Sequence, residues 1–271
     1  MTHAKSLAPI QVWPHKAPGE KSHDEPNKIL KNDSKWRQVK RLTNVGRPTL
    51  TFFPASGDQA RPCILIFPGG GYRILAIEHE GTEIAEWANK NGYHAAVLNY
   101  RVPDQKDEAF LDAQRAIRLL RHHAEAWRID PTRIGVLGFS AGGHLAASLS
   151  TRPKERTEMP EDHIGLLPAR PDFTVLVYPA YLTEKGTTTL KDDIPVSKET
   201  PPAICIHAMD DKIAPENSLG YTLALKSVGV PAGLHLYPKG GHGYGMQSRE
   251  PGLAHWGDRV IEWLTATGIT P

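Results

Sequence analysis

The feature that most constrains this chain is an alternation, from Leu50 onward, between short runs of β-forming residues and longer segments with apolar residues at helical spacing. Several short runs are apolar almost throughout, as strands buried on both faces of a sheet are. The alternation predicts an α/β fold, in which a doubly wound, mostly parallel sheet carries helices on both faces. The predicted strands are 50–54, 62–67, 94–100, 133–139, 173–178, 203–208 and 233–237. The predicted helices are 81–91, 108–127, 141–151, 215–228 and 256–265.

The segment before this alternation is polar and irregular. The first fifty residues hold ten Lys or Arg and four Asp or Glu, a net charge of +6, whereas the whole chain carries +2. A basic segment can indicate nucleic-acid binding, but these charges are dispersed among Pro, Asn and Trp and form no cluster. We therefore expect an arm over residues 1–46 that packs on a single domain spanning 47–271, with no nucleic acid as a partner.

Composition excludes several classes of protein. The 271 residues are 39% hydrophobic and 23% charged, which is ordinary for a globular domain and unlike a disordered chain. The longest apolar runs, such as 63–67, are far shorter than the roughly 20 residues needed to cross a bilayer, so no membrane partner is expected. Both cysteines, Cys63 and Cys205, lie in predicted strands and are expected to be small buried hydrophobes, not a disulfide framework.

The N-terminal residues bear on the cellular compartment. The first ten contain only short apolar patches and lack the continuous apolar stretch of a secretory leader. Two alternatives stay open: a protein that remains inside the cell, or an extracellular or periplasmic mature form numbered after a leader has been removed.

The pentapeptide Gly138-Phe139-Ser140-Ala141-Gly142 lies between a predicted strand and a predicted helix. It matches the G-x-S-x-G pattern, in which a serine occupies a strained strand-to-helix turn and projects its Oγ from the sheet. Small residues two before and two after the serine let the strand and the helix pass closely. The helix N-terminus also offers N–H groups to a developing oxyanion. Ser140 is therefore the predicted nucleophile.

An acid and a histidine that could serve such a nucleophile follow the last two predicted strands. Asp210 and Asp211 come after the penultimate strand, and His242 lies in a glycine-rich turn after the last. The carboxyl ends of parallel strands meet at one sheet edge, so these side chains are expected beside Ser140. His242 would act as general base and then general acid, while the carboxylate orients its imidazole. The predicted triad is Ser140, Asp211 and His242.

The choice between the two neighbouring carboxylates depends on spacing. A common His-Gly-x-x-Asp pattern after this strand puts the acid four residues beyond the histidine, and His207 and Asp211 have that spacing. Asp211 is therefore favoured, and Asp210 is the competing acid.

Three consecutive glycines, at 69–71, follow a predicted strand. Such a run lets the backbone approach a substrate and turn its N–H groups inward, as in the HGGG-type loop that supplies an oxyanion hole. Pro68 stands where histidine is usual. The predicted N–H donors are Gly70, Gly71 and Ala141, each worth about 3 kcal/mol of transition-state stabilisation.

Two other kinds of site lack support in the sequence. The phosphate-binding patterns G-x-x-x-x-G-K-[ST] and G-x-G-x-x-G are absent. H-E-x-x-H and Cys/His pairs at metal-binding spacing are absent as well. We therefore expect no metal and no cofactor.

These motifs resemble those of the α/β-hydrolase superfamily over roughly residues 50–264. Further motifs resemble a narrower group, the bacterial carbohydrate esterases of the acetylxylan and feruloyl esterase type. The segments that carry this resemblance are 12–19, 68–72, 79–81, 99–101, 138–144, 210–211 and 241–243. The resemblance implies a serine esterase whose α/β-hydrolase catalytic domain removes acetyl, and sometimes feruloyl, esters from xylan side groups.

An open site is expected, because segments 152–172 and 182–201 are too short and polar to form the apolar lid of a lipase. Tyr72, Arg73 and Trp256 are candidates to line the pocket, with surface packing as the alternative for each. The expected partner is an acetylated carbohydrate or a small ester. A general short-chain carboxylesterase or a serine peptidase would use the same triad, and a non-catalytic carbohydrate-binding hydrolase shell is a further alternative.

Overall fold

The computed structural model describes residues 6–20, 26–30, 39–155 and 162–271. The parts of the predicted arm at 1–5, 21–25 and 31–38 lie outside the described residues. The strands are β1 Ile10–Gln11, β2 Lys28–Leu30, β3 Arg41–Thr43, β4 Thr49–Phe53, β5 Arg61–Phe67, β6 His94–Asn99, β7 Ile129–Phe139, β8 Thr174–Val177, β9 Ala203–Ala208 and β10 Ala232–Tyr237. The helices are α1 Glu83–Lys90, α2 Lys106–His122, α3 Ala124–Trp127, α4 Ala141–Thr151, α5 Glu216–Ser227 and α6 Trp256–Ala266. A π-helical turn, Glu78–Thr82, precedes α1, and a 3₁₀ turn, Leu253–His255, precedes α6.

Eight strands form one sheet in the order β1-β4-β6-β5-β7-β8-β9-β10. The strands from β5 to β10 are parallel, whereas β4 runs antiparallel to β6 and β1 antiparallel to β4. The loops after β5, β7, β9 and β10 therefore leave the sheet at one edge. The mostly parallel sheet predicted from the sequence is confirmed.

Strand β5 shows how the core is divided between the two faces of the sheet. Cys63, Leu65 and Phe67 belong to a cluster that includes side chains of α2, α4 and α5. Ile64 and Ile66 belong to the opposite cluster, which includes side chains of α1 and α6. All five β5 side chains are fully buried. Burial on both faces explains why this run is apolar throughout, and helices cover both faces as expected.

Two predicted helices differ in detail from the observed ones. The predicted helix 108–127 is interrupted at His123, whose φ of −87° and ψ of 7° leave the helical region, so α2 and α3 are separate. The predicted helix 81–91 is preceded by the π-helical turn, in which the N–H of Glu83 bonds to the carbonyl of Glu78. None of the helices in the part of the chain that the structure describes is long and apolar enough to span a bilayer.

The N-terminal segment is attached to the sheet and to α2. β1 pairs with β4 at the sheet edge, so this segment is not irregular throughout. Trp13 is buried and donates its indole N–H to Oδ1 of Asp112 at 2.7 Å. Asp112 is fully buried and also pairs with Arg101, whose Nη2 lies 2.8 Å from Oδ1. The guanidinium of Arg101 donates in addition to the carbonyl of Pro18. One buried ion pair therefore holds this segment at two points.

Candidate active site

Ser140 occupies a sharp turn between β7 and α4. The strand ends at Phe139, the helix begins at Ala141, and Ser140 has φ 51° and ψ −117°, a conformation that residues with a side chain rarely adopt. A Cβ added at Gly142 would lie 2.1 Å from the carbonyl oxygen of Phe67, so only glycine fits where α4 passes β5. Backbone strain of this kind persists where the surrounding packing enforces it, and it concentrates at functional sites.

His242 reaches Ser140 from the loop after β10. Its Nε2 lies 2.9 Å from Oγ of Ser140, and its Nδ1 lies 2.7 Å from Oδ2 of Asp211. A ring nitrogen that faces a carboxylate carries the proton, so Nδ1 donates to Asp211 and Nε2 can accept the hydroxyl proton of Ser140. The structure thus brings together a nucleophile, a base and a group that orients the base.

The Asp211 carboxylate is buried and held by several donors. Its Oδ1 accepts the Ile213 N–H at 2.8 Å, and its Oδ2 lies 3.3 Å from Nε2 of His207. Burial raises the pKa of Asp211, but hydrogen bonds from His207, His242 and Ile213 outweigh burial and leave that pKa below its ordinary value. Asp211 is therefore ionised at neutral pH and can stabilise an imidazolium.

Asp210 has a different position and partner. It is exposed, and its Oδ1 accepts the backbone N–H of Gly241 at 2.8 Å. Gly241 directly precedes His242, so this hydrogen bond anchors the start of the loop after β10 that carries His242, here called the histidine loop. Of the two candidate acids, the structure places Asp211 against the imidazole.

The glycine loop after β5 borders the serine turn. A Cβ added at Gly69 would lie 3.0 Å from Cβ of Ser140, and the Gly69 N–H is already bonded to a buried carboxylate. Gly70 and Gly71 follow with φ values of +139° and +66°, in the region that favours glycine. Ala141 is the first residue of α4, where N–H groups have no partner within the helix. The predicted oxyanion donors therefore belong to two segments, the glycine loop and the start of α4, that both border Ser140.

The three residues expected to line the pocket have different surroundings. Arg73 is exposed. Tyr72 is buried, and its hydroxyl is hydrogen-bonded to Nδ1 of His144 at 2.8 Å, which ties the end of the glycine loop to α4. The expectation for Trp256 is corrected: it is fully buried in the core, and its indole N–H donates to the carbonyl of Gly245 at 2.8 Å. Trp256 therefore packs in the core against the loop that carries His242 and presents no surface to a substrate.

Sequence reasoning missed Tyr181, an exposed aromatic residue at the edge of the site. Its side chain is 44% exposed, and its hydroxyl would lie 3.7 Å from a Cβ added at Gly71. The preceding N–H, that of Ala180, donates to the carbonyl of Ser140 at 3.0 Å and so fixes this segment beside the serine turn. The available signal was its position three residues after the predicted strand 173–178, at the carboxyl edge of the sheet.

A cleft of about 430 Å³ opens beside His242. The residues that line it are mostly polar or glycine, namely Asp210, Gly240, Gly241, His242, Gly243, Tyr244, Ser248, Arg249 and Glu250. Across the described ranges, no group of three or more His, Cys, Asp or Glu side chains is arranged to hold a metal ion. The chemistry available to these side chains is nucleophilic attack by a base-activated hydroxyl.

Residues 51–175 match the BD-FAE family. Over 231 residues, or 76% of this chain, the sequence is 31% identical to an acetylxylan esterase from Xylanibacter ruminicola, of which it covers 45%. It is 29% identical over 75% of its length to endo-1,4-beta-xylanase B from Butyrivibrio fibrisolvens, of which it covers 35%. The chain thus spans less than half the length of these two curated relatives.

Solved structures extend the similarity over nearly the whole chain. The acetyl ester-xyloside bifunctional hydrolase from Caldicellulosiruptor lactoaceticus superposes with a TM-score of 0.80 at 32% identity, covering 97% of both chains. MGS-M1, an alpha/beta hydrolase enzyme from a deep-sea metagenome library, superposes with a TM-score of 0.69 at 29% identity, covering 89% of this chain and 97% of that chain.

Proposed function

Because this chain belongs to the α/β-hydrolase superfamily, among the acetylxylan and feruloyl esterase-like carboxylic ester hydrolases, we propose that it removes acetyl groups from xylan or related acetylated carbohydrates. The observation that carries the proposal is the hydrogen-bonded chain from Asp211 through His242 to Ser140, with distances of 2.7 and 2.9 Å. This order of contacts is what hydrolysis through an acyl-enzyme requires.

In the proposed acylation step, Oγ of Ser140 attacks the ester carbonyl carbon while Nε2 of His242 takes the hydroxyl proton. The carbonyl oxygen becomes an oxyanion, to which the N–H groups of Gly70, Gly71 and Ala141 donate. The tetrahedral intermediate then collapses. The bond to the alcohol oxygen breaks, His242 gives that oxygen its proton, and the acetyl group stays on Ser140.

Deacylation repeats these steps with water as the nucleophile. His242 takes a proton from water, whose oxygen attacks the acetyl carbonyl carbon, and the same N–H groups stabilise the second oxyanion. When the bond to Oγ of Ser140 breaks, His242 returns the proton to Oγ and acetic acid leaves, to ionise to acetate in solution. Throughout both steps the ionised Asp211 stabilises the imidazolium and keeps the proton on Nδ1.

Three observations support a carbohydrate as the alcohol part of the substrate. The protonated imidazole must face the leaving alcohol, and the lining of the cleft beside His242 includes polar side chains, such as Ser248 and Glu250, that can hydrogen-bond to hydroxyls. Tyr181 presents an exposed ring next to the glycine loop, where a sugar ring could stack. Two similar proteins are named as an acetylxylan esterase and an acetyl ester-xyloside hydrolase.

A substrate panel tests this proposal and separates it from the alternatives. The panel contains acetylated xylan, acetylated xylose, 4-nitrophenyl acetate, 4-nitrophenyl butyrate, methyl ferulate and a peptide. We expect acetate release from the acetylated carbohydrates with the highest kcat/KM, and no turnover by Ser140→Ala. Efficient turnover confined to 4-nitrophenyl esters would indicate a general short-chain carboxylesterase, and cleavage of the peptide would indicate a serine peptidase.

A further inference from the structure

Glu80 is a buried carboxylate below the candidate site that the proposed chemistry does not use. It lies in the π-helical turn before α1 and is 4% exposed. A carboxylate in such a position needs donors for its oxygen atoms, because burying an unpaired charge is costly. Besides the adjacent His79, Glu80 has two donors, Gly69 and Tyr178, that connect it to the two loops flanking Ser140.

The first donor belongs to the glycine loop. Oε2 of Glu80 accepts the backbone N–H of Gly69 at 2.8 Å. Gly69 packs against the turn that contains Ser140, and the next two N–H groups along the chain are those of Gly70 and Gly71. The hydrogen bond to Glu80 therefore fixes the residue from which the predicted oxyanion donors extend.

The second donor leads to the histidine loop. Oε1 of Glu80 accepts the hydroxyl of Tyr178 at 2.8 Å, and the oxygen of that hydroxyl accepts the N–H of Gly245 at 3.1 Å. The ring of Tyr178 also packs edge-to-face against the imidazole of His242, with centroids 4.8 Å apart. One carboxylate is thus connected through Tyr178 to the loop that carries the general base.

The charge on Glu80 is compatible with this position. Burial raises the pKa of Glu80, but contacts with His79, Tyr178 and the Gly69 N–H outweigh burial and leave that pKa below its ordinary value. An ionised carboxylate has acceptor sites on both oxygens, so it can serve the two loops at once. A neutral amide of the same shape has only one oxygen to offer.

We propose that Glu80 is a positioning residue for ester hydrolysis, because its carboxylate links the glycine loop, through Gly69, to the histidine loop, through Tyr178. The inference rests on the proposed function. Glu80 does not contact the substrate in this role. Its carboxylate fixes the spacing between the oxyanion donors and His242. Small displacements of such groups reduce the rate of the chemical step more than they reduce substrate binding.

The first test compares Glu80→Gln with Glu78→Gln, using 4-nitrophenyl acetate and a phenylboronic acid that forms a tetrahedral adduct with Ser140. In Glu80→Gln, either the Gly69 N–H or the Tyr178 hydroxyl faces an NH₂ group. We expect kcat to fall about 10- to 100-fold, less than deletion of an oxyanion donor costs, and the boronate Ki to rise by a similar factor. KM should change less than about threefold.

Glu78→Gln is the matched control from the same turn. The Glu78 side chain is partly exposed and pairs with Lys40 at 3.2 Å, so this variant should keep wild-type kcat, KM and boronate affinity. Titration of Ser140 with a fluorophosphonate gives the fraction of active molecules. If Glu80→Gln only lowers that fraction and leaves kcat per titrated site unchanged, Glu80 is structural and the inference is wrong.

If Glu80→Gln does not fold, Tyr178→Phe tests the same hydrogen-bond network. Loss of the hydroxyl removes the connection to Gly245 and should lower kcat with little change in KM; wild-type kcat in this variant overturns the inference. Where both variants fold, the double variant should lose little more kcat than the worse single variant, because both changes break one network. If the kcat losses of the two single variants multiply in the double variant, the two side chains do not act through one network.

The proposed function and this inference fail in different ways. If the wild-type chain hydrolyses no ester and Ser140 is not labelled by the fluorophosphonate, the proposed function is wrong and the inference falls with it. If the wild type is active, Ser140→Ala is inactive and Glu80→Gln matches the wild type in kcat and boronate Ki, the inference alone is overturned.

Discussion

Oδ2 of Asp211 lies 2.7 Å from Nδ1 of His242. The neighbouring Asp210 accepts the N–H of Gly241 instead, one residue before the same histidine. Two adjacent carboxylates therefore hold one loop in different ways: one bonds to the imidazole and the other to the backbone. Their substitutions should have separable effects.

We expect Asp211→Asn to lower kcat for 4-nitrophenyl acetate by about 10³- to 10⁴-fold, because an amide no longer fixes the Nδ1–H tautomer or stabilises the imidazolium. Asp210→Asn should lower it less than about tenfold, since its amide oxygen can still accept the Gly241 N–H. Steady-state kinetics of both purified variants make the comparison. The reverse ranking would identify Asp210 as the acid.

The sequence predicted the sheet well because burial on both faces imposes a simple pattern. Each β5 residue from Cys63 to Phe67 must be apolar, and that requirement is visible without coordinates. The interruption at His123 was missed, because a change in backbone dihedrals does not disturb the apolar stripe that predicted one helix from 108 to 127.

At the candidate site, the sequence located the residues that lie in short local motifs. Ser140 lies in a fixed five-residue pattern, and His242 in a glycine-rich turn after a strand. Trp256 was misassigned because an aromatic residue at the start of a helix can face either the solvent or the core, and only packing decides which. Tyr181 and Glu80 were missed as site residues because the position of Tyr181 beside Gly71 and the hydrogen bond from Gly69 to Glu80 are set by tertiary structure.

Stability should depend strongly on the buried ion pair that holds the N-terminal segment. In Asp112→Ala the Arg101 guanidinium stays buried without its partner, and Trp13 loses its acceptor. We expect the free energy of unfolding to fall by about 3–5 kcal/mol, measured by urea denaturation. Asp107→Ala, at an exposed position in the first turn of the same helix, should lose no more than about 1 kcal/mol. Equal stabilities of the two variants would contradict this account.

The ion pair between Arg115, a buried residue of α2, and the partly exposed Asp162 should make stability depend on pH. Hydrogen bonds from Arg115 lower the pKa of Asp162 to about 2. A carboxyl whose pKa is lower in the folded state stabilises the fold above its unfolded pKa of about 3.9, and this contribution is lost as the pH falls toward the folded value.

The Tm of Asp162→Asn should therefore lie below that of the wild type at about pH 7, with the gap narrowing below about pH 4. Differential scanning calorimetry at several pH values from about 7 down to about 2 measures the gap. Asp192→Asn, at an exposed position, is the matched control and should show no such narrowing. A gap that is independent of pH would show that the charge of Asp162 does not contribute.

The exposed ring of Tyr181 should matter for carbohydrate substrates and not for small esters. If a sugar ring stacks on Tyr181, its loss should cost about 1 kcal/mol of binding. Tyr181→Ala should then raise KM for acetylated xylan about fivefold, with little change in kcat/KM for 4-nitrophenyl acetate. Leu223→Ala, at a similarly exposed position on α5, should change neither value. An equal loss on both substrates would mean that Tyr181, which lies beside Gly71, shapes the glycine loop and does not bind the sugar.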